Sequence, residues 1–177
     1  YGLGRDEFGA NRIGQEPRVA YSNRVNEPES YRSIVEIPWF RNLTAVSNAN
    51  DVLAALADEV SIDKGGPQDQ SVEAAAHLLR GLVWGYLGVL FDQAPIVTED
   101  TNLDEPLEYL PYEELIAKAV EELDMAIAKS EMAGFDFVHN YFNGITLDAT
   151  QFQELCHSFT ARFLAQAART ANENDLT

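Results

Sequence analysis

From Ile37 onward, apolar side chains recur every three or four residues, at Trp39, Leu43, Val46, Leu53, Leu56 and Val60, with Asn50 in the intervening slot. That period predicts an amphipathic helix, with Pro38 suited to its first turn and "DKGGPQDQ", Asp63 to Gln70, ending it. A second helix is expected from about Ser71 to Phe91, with Val72, Ala76, Leu79, Val83 and Leu87 on one broad face and His77, Gly81, Trp84, Gly85 and Gly88 on the other. The three glycines lie one and two turns apart, so they cut a shallow groove in which a neighbouring helix can approach closely. Each costs roughly 1 kcal/mol relative to alanine, which close packing would offset. This helix should be buried on nearly all sides.

Pro111 starts a third helix, with Glu113 and Glu114 near its positive end, Lys129 near its negative end, and Leu115, Ala119, Leu123 and either Ala126 or Ile127 as its core stripe. Asp148 followed by Gln151 is a capping-box pattern that opens a fourth, which carries Phe152, Leu155, Cys156, Phe159, Phe163 and Ala167 to about Ala171. Residues 1–32 hold Gly2, Gly4, Gly9, Gly14, Pro17 and Pro28 and read as an irregular N-terminal segment, leaving 33–177 as a helical core. No strand period emerges. The expected class is all-α, with about four main helices in tetratricopeptide-like hairpins joined by long irregular loops. Strict 34-residue repeat spacing is absent. The whole reads as a single domain or a fragment of a larger one.

Charge narrows the partners. The chain has 177 residues, and its 29 acidic against 12 basic side chains give a formal net charge of -17. A polyphosphate backbone is repelled by such a surface, so nucleic acid is not an expected partner. Anionic lipid calls for clustered Lys and Arg that the sequence does not contain. The uncharged run "GLVWGYLGVLF", Gly81 to Phe91, spans roughly 16 Å as a helix, against about 30 Å for a bilayer core. It reads as a buried strut. The chain opens at "YGLGRDEFGANRIG" without an initiator Met, a signal-peptide pattern or a lipidation cysteine, and is expected to be an internal piece of a longer protein.

Candidate chemistry is sparse. "DTNLDE", Asp100 to Glu105, begins like a calcium loop, but Glu105 stands where a sharp-turn Gly is needed and Pro111 where a bidentate Glu belongs. Cys156 and His157 point about 100° apart on a helix, and His77 and His139 have no metal spacing, so no metal site is expected. Cys156 falls on an apolar stripe and reads as a small core residue. No Ser-centred elbow, phosphate-cradling Gly loop or His-Glu metal helix occurs. Neither a catalytic residue nor a cofactor site is expected. Asn48 and Asn50 read as mid-helix residues making a helix–helix hydrogen bond that fixes register. Trp39 and Trp84 read as packing residues. Of the loop aromatics, half or more should plug loops onto the core, and Tyr109, Tyr141 and Phe142 are the candidates for ligand contact, since exposed rings can stack on sugar faces.

Four segments carry a family resemblance. "PWFRNLTAVSNANDVL" resembles a helix written loosely as W-Y-x-x-L-x-x-A-N-x-x-L, and "AAAHLLRGLVWGYLGVLFDQAPIVTED" its partner helix, ending in a short aromatic turn and a Pro-aliphatic exit. "PYEELIAKAVEELDMAIAKSE" follows Y-x-E-x-I-x-x-A-x-x-x-L-D-x-A-I, and "HSFTARFLAQAART" an alanine-rich, Arg-containing helix. Together, from about Gln15 to Thr170 and in the right order, they are similar to the SusD/RagB family of outer-membrane nutrient-binding lipoproteins. Where that family commonly has Phe-Gly before its proline, this chain has "FDQAP".

The resemblance implies a non-catalytic, surface-exposed protein of the cell outer membrane, held there only through a lipid anchor outside this chain. It would cap a TonB-dependent SusC-like transporter and bind a glycan or other nutrient. No ligand-binding residue of the family maps onto a motif here. The alternative expectation is a helical-repeat protein–protein interaction module.

Overall fold

The computed structural model describes residues 29–132, 134–137, 144–170 and 173. Among them are four helices, α1 (Glu29–Ala57), α2 (Pro67–Leu90), α3 (Tyr112–Lys129) and α4 (Ala149–Ala167). Four short strands join them: β1 (Gln93–Pro95), β2 (Tyr109–Pro111), β3 (Asp136–Phe137) and β4 (Leu147–Asp148). The fold class is all-α. The chain divides into two compact units, Tyr1–Asn42 and Leu43–Thr177, and α1 contributes residues to each.

In the first unit the helix starts at Glu29, so residues 29–32 are helical rather than irregular, and Pro38 lies inside α1 instead of in its first turn. No Gly or Pro stands between Glu29 and Ile37, so nothing in that stretch opposes an early start. The expectation of Pro38 in the first turn rested on the missing N–H and fixed φ that suit proline to a helix N-terminus. Asn42 Nδ2 donates to Pro38 O at 2.7 Å.

The second unit is built around α2, which packs most extensively along α3. Burial runs nearly all round it as far as Val89 and is deepest on the side that carries His77, Gly81, Trp84, Gly85 and Gly88. The glycine groove takes two helices. A Cβ on Gly81 would stand 2.8 Å from Leu123 Cγ and 3.1 Å from Ala119 O of α3, and one on Gly88 would stand 3.0 Å from the Ile116 side chain. A Cβ on Gly85 would strike the Phe163 ring of α4. Trp84 is fully buried, and Leu90, at the end of the helix, is exposed. The last turns of α1 join through Ala49 and Leu53, which cluster with Ala76 of α2.

α2 begins at Pro67, four residues before the expected Ser71, because Asp63 supplies an external cap: its carboxylate accepts from Gln68 N at 2.8 Å and Asp69 N at 3.2 Å. The α4 capping box forms as expected, with Gln151 N to Asp148 Oδ1 at 2.9 Å and Asp148 N to Gln151 Oε1 at 3.1 Å. Pro111 is the N-cap of α3 itself, and that helix buries Leu115, Ala119, Leu123 and Ala126.

The strands form two antiparallel ladders that close the loops flanking α3. β1 pairs with β2, Gln93 opposite Pro111 and Pro95 opposite Tyr109; β3 pairs with β4, Asp136 opposite Asp148. Two or three residues are too few to show a period of two. Phe135 and Phe137 plug the second loop onto Phe152, with ring centroids 5.3 and 4.7 Å away. Among the described residues no helix is long and apolar enough to cross a membrane.

Candidate functional site

Polar, ionisable side chains sit where α2 faces α3. His77 and Arg80 are three residues apart on α2, and Lys118 and Glu122 four apart on α3, so each pair shares a helix face. Glu122, only 2% exposed, is the centre. Its Oε2 lies 2.8 Å from His77 Nδ1, and its Oε1 lies 2.7 Å from Arg80 Nη2 and 3.2 Å from Lys118 Nζ. Arg80 Nη1 reaches out to Glu99 Oε2 at 2.6 Å, tying the loop between β1 and β2 to the helices. Burial by itself raises the Glu122 carboxyl; the His77 hydrogen bond and the charges of Arg80 and Lys118 outweigh it, and the group lies below its ordinary value.

The loop between α1 and α2 is organised by a second carboxylate. Asp69 accepts from Ser61 Oγ at 2.5 Å, Ile62 N at 2.6 Å and Gly65 N at 2.7 Å. The Ser61 hydroxyl leads the effects that hold the carboxyl down at about 2, followed by the Ile62 amide. Ser61 Oγ also accepts from Lys64 N at 2.5 Å, so this hydroxyl is engaged in shaping the turn. Lys64 takes a left-handed backbone, φ 63°, within it.

Among the described residues, two clefts open on these elements. The larger, about 730 Å³, runs between the end of α1 and α2, with Glu59, Asp69, Glu73, His77 and Glu99 among its polar lining and Leu53, Val60 and Met125 among its apolar lining. Glu73 is paired with Lys129 at 2.6 Å. The smaller, about 330 Å³, lies between α1 and the loop that follows β1. Asn50 lines it, donating from Nδ2 to Val97 O at 2.9 Å, while its buried Oδ1 has no hydrogen-bond partner among the described residues. Glu99 lines both clefts.

Of the sequence-derived ligand candidates, Tyr109 lies on β2 and is 52% exposed, while Tyr141 and Phe142 lie outside the described residues. Tyr109 lines neither cleft. Asn50 bonds to a loop carbonyl, so the helix–helix bond expected of it is instead a helix-to-loop bond; Asn48 is exposed. Cys156 is fully buried, and burial pushes its thiol up to about 12. In the loop Asp100 to Glu105, Asn102 Oδ1 accepts from Asp104 N at 3.1 Å and Asn102 Nδ2 donates to Glu105 Oε1 at 3.2 Å. Among the described residues no group of three or more His, Cys, Asp or Glu side chains could hold a metal ion.

Sequence reasoning missed the Glu122 cluster and the Asn50 cleft. A signal for the first was present: His77 and Arg80 stand at helical spacing within the mostly apolar stretch Val72 to Leu90 of α2, and Lys118 and Glu122 stand at helical spacing on α3.

At the far end of α2, Arg169 Nη2 donates to Gly88 O at 2.8 Å and to Phe91 O at 2.7 Å, and Arg169 Nη1 pairs with Asp92. Its guanidinium lies 3.8 Å from the centre of the Tyr112 ring. No protein-family model matches the chain, and no curated protein or solved structure matches it.

Proposed function

We infer that the chain is the helical part of a SusD/RagB-like, non-catalytic nutrient-binding protein. It works at the cell surface with a TonB-dependent SusC-like transporter, captures a glycan or another oligomeric nutrient, and is held to the outer membrane by a lipid anchor. The observation that supports this reading is how the resembling segments meet. Each overlaps a different helix, α1 to α4 in order, and the second runs on through β1 into the loop that follows. The Ala-Asn pair of the first then touches the Pro-aliphatic exit of the second, Asn50 Nδ2 to Val97 O at 2.9 Å. The Arg that ends the fourth holds the aromatic turn of the second, Arg169 Nη2 to Phe91 O at 2.7 Å. Residues distant in sequence that belong to one pattern thus make one another's contacts.

The non-catalytic part of the reading is supported by how the reactive groups are engaged. Cys156 is buried with a raised thiol, Ser61 is a turn-forming hydroxyl, and His77 is tied to Glu122. The interaction-module alternative is favoured by one observation: Leu103 is 70% exposed and Leu107 37% exposed on the loop between β1 and β2. A glycan array and a peptide library, both probed with the full-length protein, separate the two. Saturable glycan binding is expected; silence on glycans with specific peptide binding would overturn the nutrient reading in its glycan form.

A further inference from the structure

We propose that the larger cleft of the second unit is a binding site for a small uncharged alcohol with an apolar body, whose hydroxyl donates to His77 Nε2. His77 lines this cleft and is 7% exposed. Its Nδ1 lies 2.8 Å from Glu122 Oε2, which fixes one edge of the ring. The Glu122 carboxyl is held below its ordinary value and is an acceptor only at neutral pH, so Nδ1 carries the proton and Nε2 of the neutral ring keeps a lone pair. Nε2 makes no hydrogen bond among the described residues, yet it is not sealed from solvent: the solvent-excluded side-chain atoms without a partner there are Asn50 Oδ1, Arg80 Nε, Trp84 Nε1 and Thr160 Oγ1. The cleft thus holds an oriented, reachable acceptor on a side chain otherwise removed from water.

The rest of the lining selects what donates to it. Leu53, Leu56, Val60 and Met125 form an apolar wall, and among the described residues no Phe, Tyr or Trp lines the cleft, so it lacks the flat surface on which a sugar face stacks. The charges of the lining are already answered. Glu73 is paired with Lys129 and Glu99 with Arg80, each at 2.6 Å, and Asp69 accepts from Ser61, Ile62 and Gly65. Glu59 and Lys64 line the cleft with opposite signs. An anion meets these carboxylates and is repelled, and a cation must compete with their standing partners, whereas a hydroxyl needs only the imidazole lone pair. The volume, about 730 Å³, is in the range of small-molecule sites. The site stands whether or not the chain captures a glycan, since it rests on the groups of this one cleft.

The test is a titration of the isotope-labelled full chain with cyclohexanol, cyclohexyl methyl ether, cyclohexylammonium and cyclohexanecarboxylate, followed by amide shifts and by the nitrogen resonances of the His77 ring. Cyclohexanol should saturate, move the Nε2 resonance and shift amides around the cleft. The ether has no hydroxyl proton and should bind about fivefold or more weakly. The ammonium should also bind more weakly than the alcohol, and the carboxylate should not saturate. His77→Asn keeps an N–H where Nδ1 stands but removes Nε2, so Glu122 retains a donor and the fold should persist while cyclohexanol affinity falls about fivefold or more. Val60→Ser changes a residue that is 60% exposed, so the chain should stay folded and bind cyclohexanol about twofold or more weakly. Equal affinity for the alcohol and its ether, equal or tighter binding of the ammonium or the carboxylate, silence to cyclohexanol, saturation that leaves Nε2 unmoved, or undiminished binding by a folded His77→Asn or Val60→Ser chain would overturn the proposal.

Discussion

Gly85 of α2 and Phe163 of α4 approach so closely that a Cβ on residue 85 would overlap three carbons of the Phe163 ring. The ring cannot swing away cheaply, because it is fully buried and sits edge-on to Tyr86, with centroids 5.3 Å apart. Gly85→Leu should therefore destabilise the fold by about 1–3 kcal/mol or more, read as a drop in the thermal unfolding midpoint. Glu113→Gln, on the exposed first turn of α3, should stay within about 0.5 kcal/mol of the natural chain. A harmless Gly85→Leu would mean that α2 is not wedged between its neighbours.

Arg169 adds side-chain donors at the carbonyl end of α2, where the C-cap Phe91 is extended and its own N–H donates to Leu87 O. Arg169→Met removes the donors to Gly88 O and Phe91 O and the partner of Asp92. It should cost about 1–2 kcal/mol and speed hydrogen exchange locally, at the end of α2 and through β1. Uniformly faster exchange across both ends of α2 would contradict the capping role.

Glu122→Gln should be the most damaging single change in the charged cluster. It takes from buried Arg80 one of its two carboxylate partners, Glu99 remaining at 2.6 Å, a loss of about 1–3 kcal/mol. The same geometry sets an acid response. Glu122 lies below its ordinary 4.5, so its contribution is present above pH 4.5 and is lost as the pH falls through the lower folded value. Asp69 behaves alike, between 3.8 and about 2. Urea titrations at stepped pH should show stability falling below pH 4.5, with a shallower decline in the Glu122→Gln chain.

Cys156 should not react with a thiol reagent at pH 8 while the chain is folded, and should react promptly in urea. Burial lifts its thiol from 9.0 to about 12, which stabilises the folded state below pH 9 and is lost as the pH rises through 12. Fast labelling of the native chain would show that the α4 stripe opens.

Much of this scaffold was legible in the sequence because its signals are local. The capping box at Asp148 and the stripe Leu115, Ala119, Leu123 each lie within one helix, and the glycine groove is a spacing on one face. What the sequence withheld depends on partners far along the chain. Asp63 caps α2 from outside the helix, so the start at Pro67 carried no adjacent cap residue. Asn50 meets Val97 and Arg169 meets Gly88 only after the chain has folded back, and a polar residue inside an apolar stripe does not say which carbonyl it will find. The two ladders failed to register because each strand is shorter than one clear alternation. The proline at position 38 misled for a physical reason: a helix tolerates it there, against the general cost of an internal proline.

The most direct test of the nutrient-capture account is purification of the full-length, tagged protein from the detergent-solubilised envelope of its native cell, followed by mass spectrometry of what accompanies it. The account predicts a stoichiometric complex with a large TonB-dependent β-barrel receptor and a lipid-modified N-terminal cysteine on the protein itself. Recovery from the cytoplasm, without a lipid and without a β-barrel partner, would contradict it.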